Sequence, residues 1–157
     1  MKIREAIQAD FTVLSAVLVQ VKEAASLESQ SQFNWTPQSL SEELLKCRAL
    51  VVGSQDGQRV FSFLCFRESL DFFEITVLAT LPEKRNQGLQ TLLIKELLGL
   101  ARKELKPILL EVHEENYGAI RLYKQLGFRE ISRRKSYYGD GKTALIFQYA
   151  LSSSVKS

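Results

Sequence analysis

Residues 109–128 read LLEVHEENYGAIRLYKQLGF, a strand, a helix start and a helix stop in one short run. Ile108 to Val112 is short and apolar and follows Pro107, the pattern of a strand covered on both faces. Alternation places Leu109, Glu111 and His113 on one side and Ile108, Leu110 and Val112 on the other. A glutamate in such a run either faces water at a sheet edge or is paired, hydrated or used, because burying a lone carboxylate is costly. Asn116 predicts an N-cap whose side-chain oxygen takes a free helix N–H. Ala119, Leu122, Tyr123 and Leu126 then recur at helical spacing. Gly127 suits the left-handed position that ends a helix, and Phe128 the apolar contact beyond it. Two candidate proton-transfer groups, Glu111 and Tyr123, thus share one rigid frame. On local grounds alone Tyr123 reads as an ordinary core tyrosine with its hydroxyl at the edge.

Upstream lies the strongest helical pattern of the chain, from about Gly88 to Leu105, with Leu89, Leu92, Leu93, Leu97, Leu100 and Ala101 as its apolar stripe. A strand from Phe72 to Ala79 precedes it, so strand, helix and strand predict a crossover between parallel strands. The turn between them, LATLPEKRNQGLQTLL from Leu78 to Leu93, places Lys84, Arg85 and Gly88 at a helix N-terminus. Free N–H groups and the helix dipole favour a phosphate there, and a glycine allows close approach to the backbone. Alone it is equally a plain turn, since no Walker or dinucleotide pattern accompanies it.

Further out, Ile3 to Ile7 reads as a strand, and Asp10 as the cap of a helix with Phe11, Leu14, Val17, Leu18 and Val21 on one face. Glu28 to Asn34 reads as a polar loop. Thr36-Pro37 is a cap followed by proline at the first helical position. Ala49–Gly53 and Val60–Phe66 flank Asp56-Gly57 as a hairpin, and Glu130–Tyr137 and Thr143–Ala150 form a last one around YGDGK. We expect one domain over residues 1–150 and a frayed tail over 151–157.

The 157 residues, 45% hydrophobic and 25% charged, have the composition of an ordinary globular chain. A net charge of +3 suits an anionic ligand and is too weak to indicate nucleic acid. Arg129, Arg133, Arg134, Lys135 and Lys142 read as a solvated strand face. Two cysteines, Cys47 and Cys65, and a single histidine, His113, supply neither a disulfide framework nor metal-ligand spacing, so no metal is expected. Reduced thiols and the absence of a signal-peptide or membrane-spanning pattern point to a cytoplasmic protein without a membrane partner.

The order of anion-binding turn, crossover helix, carboxylate-bearing strand and tyrosine-bearing helix resembles the GNAT superfamily of acyl-CoA-dependent N-acetyltransferases. Within it the chain is most similar to the ribosomal-protein alanine N-acetyltransferases, the RimI type. The resemblance spans nearly the whole chain. It rests on the IRxAxxxDF opening, the LAxxPxxRxxGxQ turn, LEVHEENYGAIRLYKQLGF and the RRKSYYGDGKTAL segment. It implies an α/β (α+β) fold, a mixed central sheet of about seven strands with about four helices, and acetyl-CoA in the cleft between the two central parallel strands. It implies that Arg85, Asn86, Gln87, Gly88, Leu89 and Gln90 wrap the CoA pyrophosphate, with Gln90 where the family usually carries a small residue. Leu78, Ala79 and Thr80 would offer backbone groups to the pantetheine arm and thioester, and Asn116 would also touch the cofactor. Glu111 would be proton acceptor and Tyr123 proton donor. Trp35, Tyr137 and Tyr138 would border the acceptor, and His113 is either an auxiliary or a partner at the strand end. The activity implied is acetyl transfer to a protein or peptide N-terminus through a ternary complex. The alternatives are a small amine or lysine acceptor, or a CoA-binding module without turnover, in a monomer or homodimer.

Overall fold

The computed structural model describes residues 1–25, 35–137 and 141–151. The described residues form four α-helices and seven strands: β1 Lys2–Glu5, α1 Phe11–Ala24, α2 Pro37–Leu44, β2 Arg48–Gly53, β3 Val60–Glu68, β4 Phe73–Thr80, α3 Leu89–Glu104, β5 Ile108–His113, α4 Tyr117–Gln125, β6 Arg129–Arg134 and β7 Ala144–Tyr149. The strands form one sheet in the order β1-β2-β3-β4-β5-β7-β6. Among the described residues only β4 and β5 are parallel, joined by α3; the other pairs are antiparallel.

Seven consecutive buried residues, Val60 to Phe66, make β3 the centre of the core. Strand alternation sends them to both faces, so both faces of the sheet are covered there. Helix α1 packs on β3 and β4, and α3 on β2, β3 and β4. Phe66 and Phe73 meet edge to face, centroids 5.4 Å apart. Burying each such ring is worth about 1.5–3 kcal/mol. In α3 the buried stripe is Leu89, Leu93, Ile94, Leu97, Leu98 and Ala101. Leu92, placed on it from the sequence, is instead exposed, because the helix is rotated to bury Ile94 and Leu98.

Two local features set up the site. β4 carries one residue more than β3: Cys65 faces Val77 while Phe66 faces Ile75, which leaves Thr76 as a bulge. At the same level the β4–β5 ladder ends, with only Phe73, Glu74 and Ile75 registered on Ile108, Leu109 and Leu110. The strands continue to Thr80 and His113 without further pairing to each other, so the sheet opens there.

Helix ends follow the sequence closely in three places. Thr36 accepts from the Ser39 N–H at 3.0 Å, and Asn116 Oδ1 accepts from the Ala119 N–H at 3.3 Å. Gly127, at φ 99°, closes α4 with Phe128 N–H donating to the Tyr123 carbonyl at 2.9 Å and Gly127 N–H to Lys124 at 3.1 Å. Asp10 is the exception. It makes no side-chain cap to α1; its carboxylate binds the Arg4 guanidinium at 2.7 and 2.8 Å and the Ile7 N–H at 2.8 Å. The bidentate partner outcompetes the helix N–H groups, and β1 ends at Glu5 rather than Ile7 so that the chain can turn toward it. The expected polar loop at 28–34, Tyr138 and residues 152–157 of the expected tail lie outside the described residues.

The hydrogen bonds from Arg4, reinforced by Ile7, hold the Asp10 carboxyl below its ordinary 3.8. A carboxyl lowered by folding stabilises the protein above its unfolded value and loses that contribution as pH falls through the folded one. Asp10→Asn is therefore expected to cost about 1–3 kcal/mol at pH 7. The cost should shrink below pH 4, measured by urea unfolding at both pH values.

Candidate active site

The opening between β4 and β5 leads into two cavities, of about 450 and 470 Å³. Leu78, Asn116 and Tyr123 line both, so the cavities meet where the strands part and α4 begins.

The first cavity is the anion pole. It is lined by Leu78 and Thr80 of β4, by Lys84, Arg85, Asn86, Gly88, Leu89, Gln90 and Thr91 at the start of α3, and by Asn116, Gly118, Ala119, Leu122 and Tyr123 of α4. Gly88 is the N-cap of α3 at φ 76°, and no side chain caps the helix. A Cβ built on Gly88 would meet nothing within 4 Å, so the space above the helix end is open. Asn86 also takes a positive φ, 60°, to shape the turn. The uncapped N–H groups, the helix dipole and Arg85 together suit a phosphate or pyrophosphate. Lys84 stacks its ammonium over the Phe61 ring, 4.3 Å from the centroid.

Two of the expected cofactor residues lie away from the cavity. Ala79 is buried in the core, and its carbonyl accepts from the Ser62 hydroxyl at 2.8 Å; alternation turns it from the face that Leu78 and Thr80 share with the opening. The Gln87 side chain points back to the Glu83 carbonyl at 3.5 Å. Lys84, expected beside the turn, does line the cavity; Gly118 and Thr91 were not singled out from the sequence, and Gly118 has open space at its Cβ position, which a glycine inside a helix signals weakly.

The second cavity is richer in charge. Trp35, Glu43 of α2, Arg67 of β3, Glu74 to Leu78 of β4, Leu110 to His113 of β5, Arg134 and Tyr137 line it. Glu111 is ion-paired with Arg134 at 3.1 Å, and the Arg134 guanidinium lies over the Tyr137 ring at 5.5 Å. The Glu111 charge pushes the Tyr137 hydroxyl above its ordinary value. Glu74 follows the same logic as Glu111, a carboxylate in the apolar strand FFEITVLA, and lies on the same face of the sheet, since it registers on Leu109. Burial first, and the Glu111 charge second, raise its carboxyl above the usual range. Glu43, only 3% exposed, binds Arg67 bidentately and accepts from Thr76 Oγ1 at 3.1 Å. Nothing in its helix sequence marks it; the packing of α2 against α1 and the bonds from Arg67 of β3 and Thr76 of β4 bring it there.

His113 is 2% exposed, and its Nδ1 accepts from the Glu115 N–H at 3.0 Å, tying the strand end to the start of α4. Tyr123, 7% exposed, is wedged between Phe128 and Phe147 at 5.7 and 6.3 Å. The arrangement brings together an anion pole, a carboxylate wall and a tyrosine at their junction.

A family model described as the acetyltransferase (GNAT) family matches residues 13–128. The N-alpha-acetyltransferase RimI of Mycobacterium tuberculosis is 25% identical over 81% of this chain and 84% of its own. Further N-acetyltransferase relatives, 33–36% identical, are matched over only 44–57% of their own length. The crystal structure of the ribosomal-protein-S18-alanine N-acetyltransferase from Escherichia coli superposes with a TM-score of 0.80 at 22% identity, covering 98% of this chain and 96% of that one. The yncA protein of Salmonella typhimurium, solved with its cofactor acetyl-CoA, superposes at 0.71 with 20% identity over 97% and 94%. These two likenesses bear on the fold.

Gly88→Ala is expected to cost about 1–2 kcal/mol of stability through its left-handed φ. The added methyl group faces the anion pole, and CoA binding should weaken by about tenfold by calorimetric titration. Unaltered affinity would remove the helix end from the binding site.

Proposed function

Because this chain belongs to the GNAT acetyltransferase family, we propose that it transfers an acetyl group from acetyl-CoA to the N-terminal α-amino group of a protein or peptide, directly, in a ternary complex. The observation that carries this reading is the junction of the two cavities at Leu78, Asn116 and Tyr123. A donor arm entering from the anion pole and an amine entering from the carboxylate wall meet there.

The residues present fit such a donor: a left-handed glycine with open space at the head of an uncapped helix, Arg85 beside it, and an unpaired strand edge leading inward. Acetyl-CoA supplies, when bound, an acyl group activated as a thioester. Backbone N–H groups of Leu78 and Thr80, freed by the end of the β4–β5 ladder, polarise the acyl oxygen. Arg85 and the start of α3 hold the pyrophosphate, with Asn86, Leu89 and Gln90 walling the same cavity and Asn116 closing its inner end.

Glu111 accepts the proton of the acceptor amine, directly or through a water. Arg134 already binds this carboxylate, so an incoming ammonium competes with a guanidinium for the same oxygen. A protein α-amino group titrates at about 7.7–8.0 and a lysine side chain at about 10.4, so a carboxylate base is far better matched to the first. The Tyr123 hydroxyl gives its proton to the departing sulfur, and its ring packing between Phe128 and Phe147 holds it at the junction. Direct transfer needs no nucleophilic thiol, which agrees with Cys65 being buried in the core. Trp35 and Tyr137 stand at the mouth of the acceptor side. His113 positions the β5–α4 corner through its bond to Glu115.

Glu111→Gln and Tyr123→Phe are each expected to lower turnover by about 10² or more while leaving the acetyl-CoA KM within about twofold. The check is CoA thiol release with N-terminal peptides beside small amines and a lysine side-chain acceptor. Wild-type turnover in both variants refutes the assigned roles, and faster transfer to a small amine or lysine moves the reading to that acceptor. CoA binding without thiol release for any acceptor would identify a module without turnover.

A further inference from the structure

The second cavity contains an arginine that neither proton transfer nor cofactor binding uses. Arg67 reaches in from the end of β3, with its side chain 49% exposed. Its Nε and Nη2 hydrogen bonds all go to Glu43. Glu43 is almost completely buried and is held from its other side by Thr76 at the bulge, so the guanidinium plane is fixed before any ligand arrives. The Nη1 edge has no hydrogen-bond partner among the described residues. Nor does Arg67 form an ion pair with Glu74, although each feels the other's charge. The cavity therefore holds a fixed donor edge and a carboxylate that is not ion-paired with it.

An α-aminoacyl group offers a partner to each. Its nitrogen and its carbonyl oxygen are separated by a single carbon, so it offers N–H donors toward the carboxylates and an acceptor toward the guanidinium. A lysine ε-amine or an alkylamine has no such oxygen near the nitrogen. We propose that Arg67, clamped by Glu43, binds the carbonyl oxygen of the acceptor's first residue and thereby selects α-aminoacyl groups over other amines. This rests on the N-acetyltransferase reading above and adds to it what the acceptor site recognises. A neutral or anionic oxygen satisfies the same edge, so the carbonyl of a peptide and the carboxylate of a free amino acid share this chemistry.

The test is a cycle between protein and acceptor. Thiol release is measured for the wild type and for Arg67→Lys, which keeps a positive charge beside the buried Glu43 and loses the second donor edge. The acceptors are a peptide, the same peptide with its first amide replaced by an alkene, and the free amino acid matching its first residue. A hydrogen bond to a charged donor predicts that the wild type prefers the amide to the alkene by about 10- to 100-fold in kcat/KM. In Arg67→Lys the preference should fall to about threefold or less, with the acetyl-CoA KM little altered. The ratio of ratios cancels the difference in amine basicity between the acceptors. Equal preference in both proteins, or none in the wild type, overturns the role of Arg67; should Arg67→Lys not fold, the wild-type comparison alone decides. A free amino acid used as well as the peptide places the carboxylate in the same contact, and a much poorer one restricts it to peptides. Absence of thiol release with every acceptor is the distinct failure of the N-acetyltransferase reading itself, and it takes this inference with it.

Discussion

Strands laid side by side have to satisfy their backbone groups with each other or with something else, and β4 and β5 stop doing so after three registered positions. The cause lies on the far side of β4. Thr76 is one residue too many for its ladder with β3, and the bulge bends β4 away from its parallel neighbour. Thr76 Oγ1 is bound to Glu43, which is bound to Arg67, so the bend is fixed by a buried carboxylate rather than left to relax. Both cavities, and the unpaired edge between them, follow from that local misfit.

Charge is distributed about this opening according to what each side has to hold. The side nearer α3 offers helix N–H groups and Arg85, with no carboxylate among its lining residues. The other side carries Glu43, Glu74 and Glu111 against Arg67 and Arg134. Two of those carboxylates are already paired. Glu74 is the one whose carboxyl is raised by burial and by its neighbour, so that side is an environment that favours a cation entering from water.

Much of this was legible in the chain. The α4 segment carries its own cap at Asn116 and its own stop at Gly127-Phe128, and local chemistry of that kind survives in any tertiary setting. The same segment also places Glu111 on a strand and Tyr123 on the helix that follows, where the structure has them. Asp10 and Leu92 were misread because each depended on a competitor out of local view: the Arg4 fork in one case and the rotation of α3 over the sheet in the other. Glu74 was readable by the argument applied to Glu111, a carboxylate in an apolar strand. Glu43 was not, because an acidic residue on a helix is ordinarily solvated and only packing buries it.

The sequence by itself determined the order of strands and helices, the parallel crossover, the helix termini and the residue types at the anion pole. Periodicity, capping and turn chemistry act over a few residues and need no distant partner. The tertiary structure decided where the sheet opens, which carboxylates face one another and that Ala79 and Gln87 stand aside. Those outcomes depend on register across strands and on the rotation of helices against them, and a single residue's slip in register would turn a strand's side chains to the opposite face.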